Sequence, residues 1–250
     1  MPKKQKDLCG LARVILFKSN NISAKTILNL SNYFCDKIIN MRYKQFYFIV
    51  IFSAFINVQV SAQNVDIDLL KKINLQTETS FKNNFFDATA KSVAIINIAA
   101  PLSILTAGLI KHDKQLIKDA AYMAGGFIVC TIVTHGMKKI IKRERPFNTY
   151  SFIINRDEGG SYSFPSGHTS SAFCTATSLS LLYPKWYVIA PAYLYAATVG
   201  YARMYQGVHY PSDVIVGAVV GAGSAWVSYK AEKWITKKQG QHKNVHTTSL

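Results

Sequence analysis

Three clusters of chemically useful polar residues interrupt an otherwise apolar sequence. They are Lys138 followed after six residues by Arg145-Pro146, the run Pro165-Ser166-Gly167-His168, and Arg203 followed by His209 and Asp213. A phosphate group carries two negative charges, and planar guanidinium forks, an ammonium group and backbone donors hold it well. Lys138, Arg145 and Arg203 provide the positive charge. The clusters therefore predict a site that binds phosphate.

The second cluster directly precedes an apolar stretch, so we expect it at the amino-terminal end of a helix. Backbone N–H groups at such an end attract anions, and the Ser166 hydroxyl is predicted to join them as a donor. Gly167 has no side chain that would block the approach of phosphate. The run thus predicts an anion-binding cradle opposite the three cations.

Two histidines at a phosphate site indicate a division of roles. Three residues separate His209 from Asp213, and Pro211 between them suits the first turn of a helix. The Asp213 carboxylate can then reach back to the imidazole and fix one tautomer, which leaves the other ring nitrogen as a nucleophile. We assign His209 to attack phosphorus and Asp213 to orient it. His168 is assigned to protonate the leaving oxygen and then to activate water.

Two other chemistries fit these residues less well. A zinc site made of His168, His209 and Asp213 would place a dication beside three cationic side chains. A Ser166 nucleophile with His168 as its base would need two residues that do not face each other on a helix. The sequence therefore predicts neither a metal nor another cofactor.

The remaining basic residues near the first cluster have a simpler interpretation. Lys139, Lys142 and Arg143 are expected on the protein surface, with their charged groups at the level of lipid headgroups. His135 lies one turn before Lys138, and we expect a structural histidine or one at the rim of the site.

In order and spacing, the three clusters resemble the signature of the type 2 phosphatidic acid phosphatase superfamily. That signature reads Lys-x6-Arg-Pro, Pro-Ser-Gly-His and Ser-Arg-x5-His-x3-Asp, and this chain departs from it at Ala202, where the family usually has Ser. The resemblance extends over about residues 92–230. It implies a six-helix membrane bundle with the site at the outer membrane face, and the same roles for both histidines. Vanadium haloperoxidases, which are soluble, share the constellation and are an alternative.

Apolar stretches separate and flank the clusters, as expected of helices that position them. These stretches are residues 92–110, 120–136, 169–183, 186–202 and 214–229. The first has 19 uncharged residues and would extend about 28 Å, which matches the hydrocarbon core of a bilayer. Several are short for a full span, so a soluble helical core is the alternative. Gly217 and Gly221 form a step suited to close helix packing. We predict an all-α fold, a multi-pass membrane bundle of about six helices.

The amino-terminal part resembles that of an exported protein. After Met41 come a short basic region, an apolar stretch and small residues before Gln63, which predict a signal peptide with an uncleaved anchor as the alternative. The next segment is polar and weakly amphipathic, and we expect it along the bilayer surface. The chain is thus expected to divide into an extension that need not belong to the mature protein, the signal peptide, the interfacial segment, the phosphatase bundle and a basic cytoplasmic tail: residues 1–40, 41–62, 63–91, 92–230 and 231–250.

The charge distribution favours a membrane protein over a nucleic-acid binder. The net charge is +16, but residues 1–44 alone hold nine basic and two acidic side chains, whereas a nucleic-acid interface spreads basic and aromatic residues over one folded face. With Gln63 outside, the basic turns at 111–118 and 184–185 and the tail are cytoplasmic, as the positive-inside rule requires.

Four scattered cysteines without a Cys-x-x-Cys pair indicate no disulfide framework.

These observations predict a metal-independent phosphatase of the bacterial inner membrane that acts on a lipid-linked phosphate ester or diphosphate at the periplasmic face. Lipid A is the preferred substrate, because the exported amino terminus and the layout look similar to bacterial lipid A phosphatases. Undecaprenyl diphosphate, phosphatidylglycerol phosphate and phosphatidic acid are alternatives, as is an inactive membrane scaffold. The expected partners are the lipid phosphate and membrane lipids, without nucleic acid; the sequence predicts no particular oligomeric state.

Overall fold

The computed structural model of the protein describes residues 59–247, with side chains for residues 65–236. This part of the chain contains helices and no strand. The helices are α1 Gln59–Asn74, α2 Ser80–Ile110, α3 Lys114–Ile141, α4 Pro146–Thr149, α5 Gly167–Leu182, α6 Trp186–Tyr205 and α7 Pro211–Thr247. Apart from the single turn of α4, six helices have 16 residues or more. The predicted all-α bundle of about six helices is confirmed.

Capping residues extend the helices beyond the apolar stretches that predicted them. The Thr79 side chain accepts a hydrogen bond from the Lys82 N–H at 3.2 Å, and Asp113 accepts one from the Gln115 N–H at 2.8 Å. These caps satisfy donors that the first turn of a helix leaves free. α3 ends at Lys142, whose φ of 51° is left-handed. α2 and α3 therefore begin earlier than residues 92 and 120.

α5 occupies the centre of the bundle and packs against α2, α3, α6 and α7. Its contact with α7 is the most extensive in the described residues, and two glycines make it close. A Cβ atom on Gly221 would lie 2.0 Å from the Ser170 carbonyl oxygen, and one on Gly217 would lie 2.8 Å from that of Ser166. The predicted packing role of both glycines is confirmed, since only a hydrogen atom fits between these backbones.

Large apolar side chains cover the outside of the bundle. Ile98, Ile132 and Val219 are 66%, 66% and 67% exposed, whereas the interior of α5 holds small and polar residues. Within residues 59–247, three segments are long and apolar enough to cross a membrane: Ser80–Ile110, Lys114–Thr149 and Pro211–Thr236. An apolar exterior around a small-residue interior is the pattern of a protein surrounded by lipid tails. The chain is a membrane protein.

The amino-terminal segment packs into the protein rather than only along a surface. In this segment, which was expected along the bilayer surface, Leu70 and Ile73 are buried, whereas Leu69 and Leu75 are exposed. Residues 1–58, which include the extension and most of the predicted signal peptide, lie outside the described residues. α1 continues from Gln59 through the predicted cleavage position, and cleavage stays a prediction. At the other end, α7 continues through the predicted tail as far as Thr247.

The contact between α5 and α7 predicts a specific loss of stability. Gly221→Ala should lower the free energy of unfolding by about 1–3 kcal/mol, because its methyl group collides with backbone rather than with a flexible side chain. Gly125→Ala on α3 is the matched control, since nothing lies within 4 Å of its Cβ position. Thermal unfolding of the detergent-purified variants measures both effects. Equal melting temperatures for the two variants would contradict the close backbone contact.

Candidate active site

A cavity of about 390 Å³ lies at the carboxyl ends of α3 and α6 and the amino end of α5, beside the loop that joins α4 to α5. Six of the eight predicted site residues line it: Lys138, Arg145, Gly167, His168, Arg203 and His209. Ser166 and Asp213 are fully buried behind its wall. The structure thus brings the three sequence clusters together around one space.

His209 and Asp213 form the buried side of the site. His209 is 2% exposed, and its Nδ1 lies 3.4 Å from Oδ2 of Asp213, one helical turn further along the chain. Burial lowers the pKa of His209 to about 3, although the Asp213 carboxylate opposes this effect. At neutral pH the imidazole is therefore neutral. The carboxylate favours the tautomer with hydrogen on Nδ1, which leaves the Nε2 lone pair free for chemistry.

Asp213 has further partners that sequence analysis did not identify. Oδ2 accepts hydrogen bonds from the Tyr210 backbone N–H at 2.9 Å and from the Ser163 hydroxyl, and Oδ1 accepts one from Arg143 at 2.8 Å. The Ser163 hydroxyl also lies 3.4 Å from Nδ1 of His209. A buried carboxylate needs such compensation to stay ionised. These contacts fix the direction in which Asp213 faces His209.

The expectation of a surface position for Arg143 is wrong. Its guanidinium forms ion pairs with Asp213 at 2.8 Å and with Asp66 at 2.7 Å, and it lies 3.7 Å above the centre of the Tyr210 ring. Its position two residues before Arg145 was the one sequence signal available. In contrast, Lys139 and Lys142 are exposed, as the surface interpretation requires.

Lys138 and Arg145 are held in place by backbone carbonyl groups. The Lys138 ammonium donates to the Tyr162 carbonyl, and Arg145 donates to the carbonyls of Ser161 at 2.8 Å and Val208 at 2.9 Å. Neutral acceptors orient these cations without cancelling their charge. Both therefore keep a net positive charge at the cavity wall.

Arg203 lies opposite them and is almost fully buried. One of its terminal nitrogens donates to Asp157 at 2.5 Å and to the Gln206 side chain at 2.8 Å, but its buried Nε has no partner. In the described part of the chain, Asp157 is the only carboxylate paired with any of the three cations. A buried guanidinium N–H without an acceptor is costly, so Arg203 is, in its hydrogen bonds, the least compensated of the three cations.

The amino-terminal end of α5 differs from the predicted cradle in one residue. The Ser166 N–H donates to the Asp213 carbonyl at 3.0 Å, and its hydroxyl pairs with that of Thr169 at 2.9 Å. The Ser166 hydroxyl is fully buried with Thr169 as its partner and does not line the cavity, and its role as a donor to the anion stays a prediction. The backbone N–H groups of Gly167 and His168 remain at the cavity end of the helix.

His168 stands at the exposed side of the cavity, at the start of α5. Partial burial of its ring and, to a smaller extent, the positive charge of Arg203 together lower its pKa to about 4. His135 also lines the cavity, and its Nδ1 lies 3.0 Å from the Thr131 carbonyl, in keeping with a rim histidine. Among the described residues, no group of three His, Cys, Asp or Glu side chains is arranged to hold a metal ion.

Known proteins that are similar to this chain include a protein family and several individual relatives. The family model described as the PAP2 superfamily matches residues 119–237, which include all eight predicted site residues. A lipid A 4'-phosphatase from Bacteroides thetaiotaomicron is 36% identical over 86 residues, which cover 34% of this chain and 38% of that protein. This chain therefore spans well under half the length of that relative.

Two further comparisons extend over more of the chain. An undecaprenyl-diphosphatase from Sulfolobus acidocaldarius is 28% identical over 185 residues, covering 72% of this chain and 84% of that protein. The crystal structure of Aquifex aeolicus LpxE superposes with a TM-score of 0.58 at 26% identity, covering 66% of this chain and 95% of that chain. The fold around the cavity is thus shared with solved structures.

The electrostatics of the cavity predict that anion binding takes up a proton. A dianion raises the pKa of His168 above its value of about 4, because it stabilises the imidazolium. At pH values between the pKa of His168 in the free protein and its higher pKa with the anion bound, the affinity for sulfate should fall as the pH rises, by up to about tenfold per pH unit. Titration calorimetry in buffers of different ionisation enthalpy measures the proton uptake. His168→Gln should flatten this dependence; an unchanged slope would assign the proton to another group.

Proposed function

We propose, from the premise that residues 119–237 belong to the PAP2 superfamily, that this chain hydrolyses a lipid-linked phosphate monoester or diphosphate through a phosphohistidine on His209. The observation that carries this proposal is the one cavity that residues of all three clusters line. In it, a neutral His209 in contact with Asp213 faces a space bordered by three cations and His168. The chain is then a phosphoric ester hydrolase of the membrane.

In the first step, Nε2 of His209 forms a bond to phosphorus and the bond from phosphorus to the leaving oxygen breaks. Lys138, Arg145 and Arg203 border the cavity and balance the charge on the phosphoryl oxygens. Asp213 stabilises the positive charge that develops on the imidazole. His168, protonated when the anion enters, gives its proton to the leaving oxygen.

In the second step, water attacks the phosphohistidine. His168 is now neutral and accepts a proton from the water as the new bond to phosphorus forms and the bond to Nε2 breaks. The products are inorganic phosphate and the alcohol, or the lipid monophosphate when the substrate is a diphosphate. His168 again carries the proton that it took up from solution when the anion entered, and it loses this proton when phosphate leaves. The cycle therefore balances in bonds and protons without a metal ion.

Lipid A is our first choice of substrate. The Bacteroides lipid A 4'-phosphatase has the higher identity of the two relatives, 36% against 28%. Val93, Ala94 and Phe127 give the cavity an apolar wall from α2 and α3, which suits a phosphate attached to a lipid. Undecaprenyl diphosphate, phosphatidylglycerol phosphate and phosphatidic acid are the alternatives. Phosphate release compared across these four lipids ranks them.

Two other functions share parts of this site. Vanadium haloperoxidases hold vanadate in a similar pocket but are soluble, whereas the described part of this chain has three candidate membrane spans. An inactive scaffold would have no need to keep three partly compensated cations beside a buried His209. The membrane phosphatase accounts for both observations.

We further propose that the site faces the periplasm of a bacterial inner membrane. The site lies at the carboxyl end of α3 and the amino end of α5, so the turns at residues 111–113 and 183–185 lie at the opposite helix ends. Lys111, Lys114 and Lys185 at those turns favour the cytoplasm. The site side also carries basic residues, among them Lys138, Arg145 and Arg203, which the phosphate site requires.

The roles of the two histidines can be separated by the leaving group. His209→Ala should abolish turnover of every substrate, because it removes the nucleophile. His168→Ala should slow hydrolysis of a lipid phosphate by roughly 10² to 10⁴, yet slow phosphoenzyme formation from nitrophenyl phosphate much less, because nitrophenolate leaves without a proton. Acid-labile, base-stable phosphoenzyme should accumulate in His168→Ala, measured by quenched labelling. Equal labelling of the His168→Ala/His209→Ala double variant would exclude His209 as the nucleophile.

The proposed orientation can be tested by cysteine labelling. A cysteine at Asn155, in the loop over the site, should react with an impermeant thiol reagent in intact spheroplasts. One at Gln115, near the opposite helix ends, should react only after permeabilisation. The reverse pattern would put the active site in the cytoplasm and contradict the periplasmic assignment.

A further inference from the structure

Asp66 on α1 is a buried carboxylate that lies far outside the residues matched by the family model. It is 7% exposed and is surrounded by donors. Its Oδ2 accepts hydrogen bonds from Arg143 at 2.7 Å and from the Ser212 hydroxyl at 2.5 Å, and its Oδ1 accepts one from the Ser212 N–H at 2.8 Å. Asp66 therefore contacts two elements of the site without lining the cavity.

The contact with Arg143 connects Asp66 to the catalytic carboxylate. One terminal nitrogen of Arg143 donates to Asp66, and the other donates to Asp213 at 2.8 Å and to the Ser212 hydroxyl at 2.7 Å. A guanidinium is planar and rigid, so a fixed acceptor on one nitrogen sets the direction of the other. The order of contacts is thus Asp66, Arg143, Asp213 and His209.

The charge balance around Arg143 also depends on Asp66. Arg143 lies between two carboxylates, and its attraction to Asp66 competes with its attraction to Asp213. Without Asp66, the guanidinium would keep Asp213, the Ser212 hydroxyl and the Tyr210 ring as partners but would lose the charged acceptor on its other terminal nitrogen. It would then hold Oδ1 of Asp213 less firmly in one direction. Asp213 would then hold the His209 ring less firmly at the 3.4 Å contact.

α1 itself is firmly attached, which is what a positioning element requires. Leu70 packs with Ile153 and Tyr210 in a buried cluster. Asn74 accepts a hydrogen bond from the Ile154 N–H at 2.8 Å and donates to the carbonyls of Ile154 and Tyr205, both at 2.9 Å. The buried face of α1, residues 66, 70, 73 and 74, has the spacing of one helical stripe. Asp66 is therefore presented to Arg143 from a fixed helix.

We propose that Asp66 is a positioning residue for the phosphatase reaction, which orients the His209 nucleophile through Arg143 and Asp213. This inference rests on the proposed function. It extends the catalytic machinery to α1, which precedes the region of the family match by more than 40 residues. Phosphate binding is not part of its role, because Asp66 contacts none of Lys138, Arg145 and Arg203.

The test is a double-mutant cycle on the rate constant of phosphohistidine formation. Purified full chain is mixed with nitrophenyl phosphate and quenched at intervals. The rate constant reports positioning of the nucleophile, whereas the amplitude reports the fraction of folded enzyme. Asp66→Asn should lower the rate constant about tenfold, the effect of losing one charge-assisted hydrogen bond, with the half-saturating substrate concentration unchanged. Asp66→Glu, which keeps the charge, should recover part of the rate.

Arg143→Gln provides the second arm of the cycle. If Asp66 acts through Arg143, the double variant should be no slower than Arg143→Gln alone, within about twofold. Asp68→Asn is the matched control, because Asp68 has the same charge on the same helix but is exposed, and its rate constant should equal that of the wild type.

Each other outcome overturns a defined claim. A lower amplitude with a normal rate constant in Asp66→Asn would show a purely structural role and refute the inference. A further tenfold loss in the double variant would show that Asp66 does not act through Arg143, and would also refute it. Absence of phosphoenzyme in the wild type would instead refute the proposed function, and the inference with it.

Discussion

The structure depends above all on one buried negative charge, the carboxylate of Asp213. An ionised carboxylate without access to water is stable only when several donors surround it, and loss of one partner of such a group typically costs about 3–5 kcal/mol. Here the donors come from Arg143, the Ser163 hydroxyl and the Tyr210 backbone, while His209 contacts the same oxygen as Ser163. Three separate segments must therefore converge for the chain to fold, and their convergence creates the candidate active site.

Close packing of α5 against α7 makes this convergence possible. Gly217 and Gly221 let the two backbones touch, and the Ser166 N–H then reaches the Asp213 carbonyl at 3.0 Å. The amino end of α5, which carries His168, is thereby fixed relative to His209. In the proposed function, stability and catalysis depend on the same contact, because a shift of α7 along α5 would move His209 away from His168.

The apolar surface that faces lipid and the polar site occupy different parts of the molecule. Apolar side chains such as Ile98 and Val219 face outward, while the charged residues of the site gather at one end of the bundle. Lipid cannot solvate these cations, so they depend on carbonyl groups, on Asp157 and, in the proposed function, on the phosphate of the substrate. A partly compensated group of cations is well suited to draw a phosphate headgroup out of the membrane surface.

The sequence by itself determined the apolar helices, the three clusters and the contact of His209 with Asp213. These features are local: hydropathy persists within each helix, and His209 and Asp213 are one turn apart. Only the tertiary structure decided the surroundings of that pair. The partners of Arg143 lie 70 and 77 residues away, and Ser163 lies 50 residues from Asp213. Residue spacing does not encode which side chains face each other over such separations, and for the same reason the hydroxyl of Ser166 was assigned to the anion although it bonds to Thr169. Packing of the helices against one another determines which side chains make these contacts.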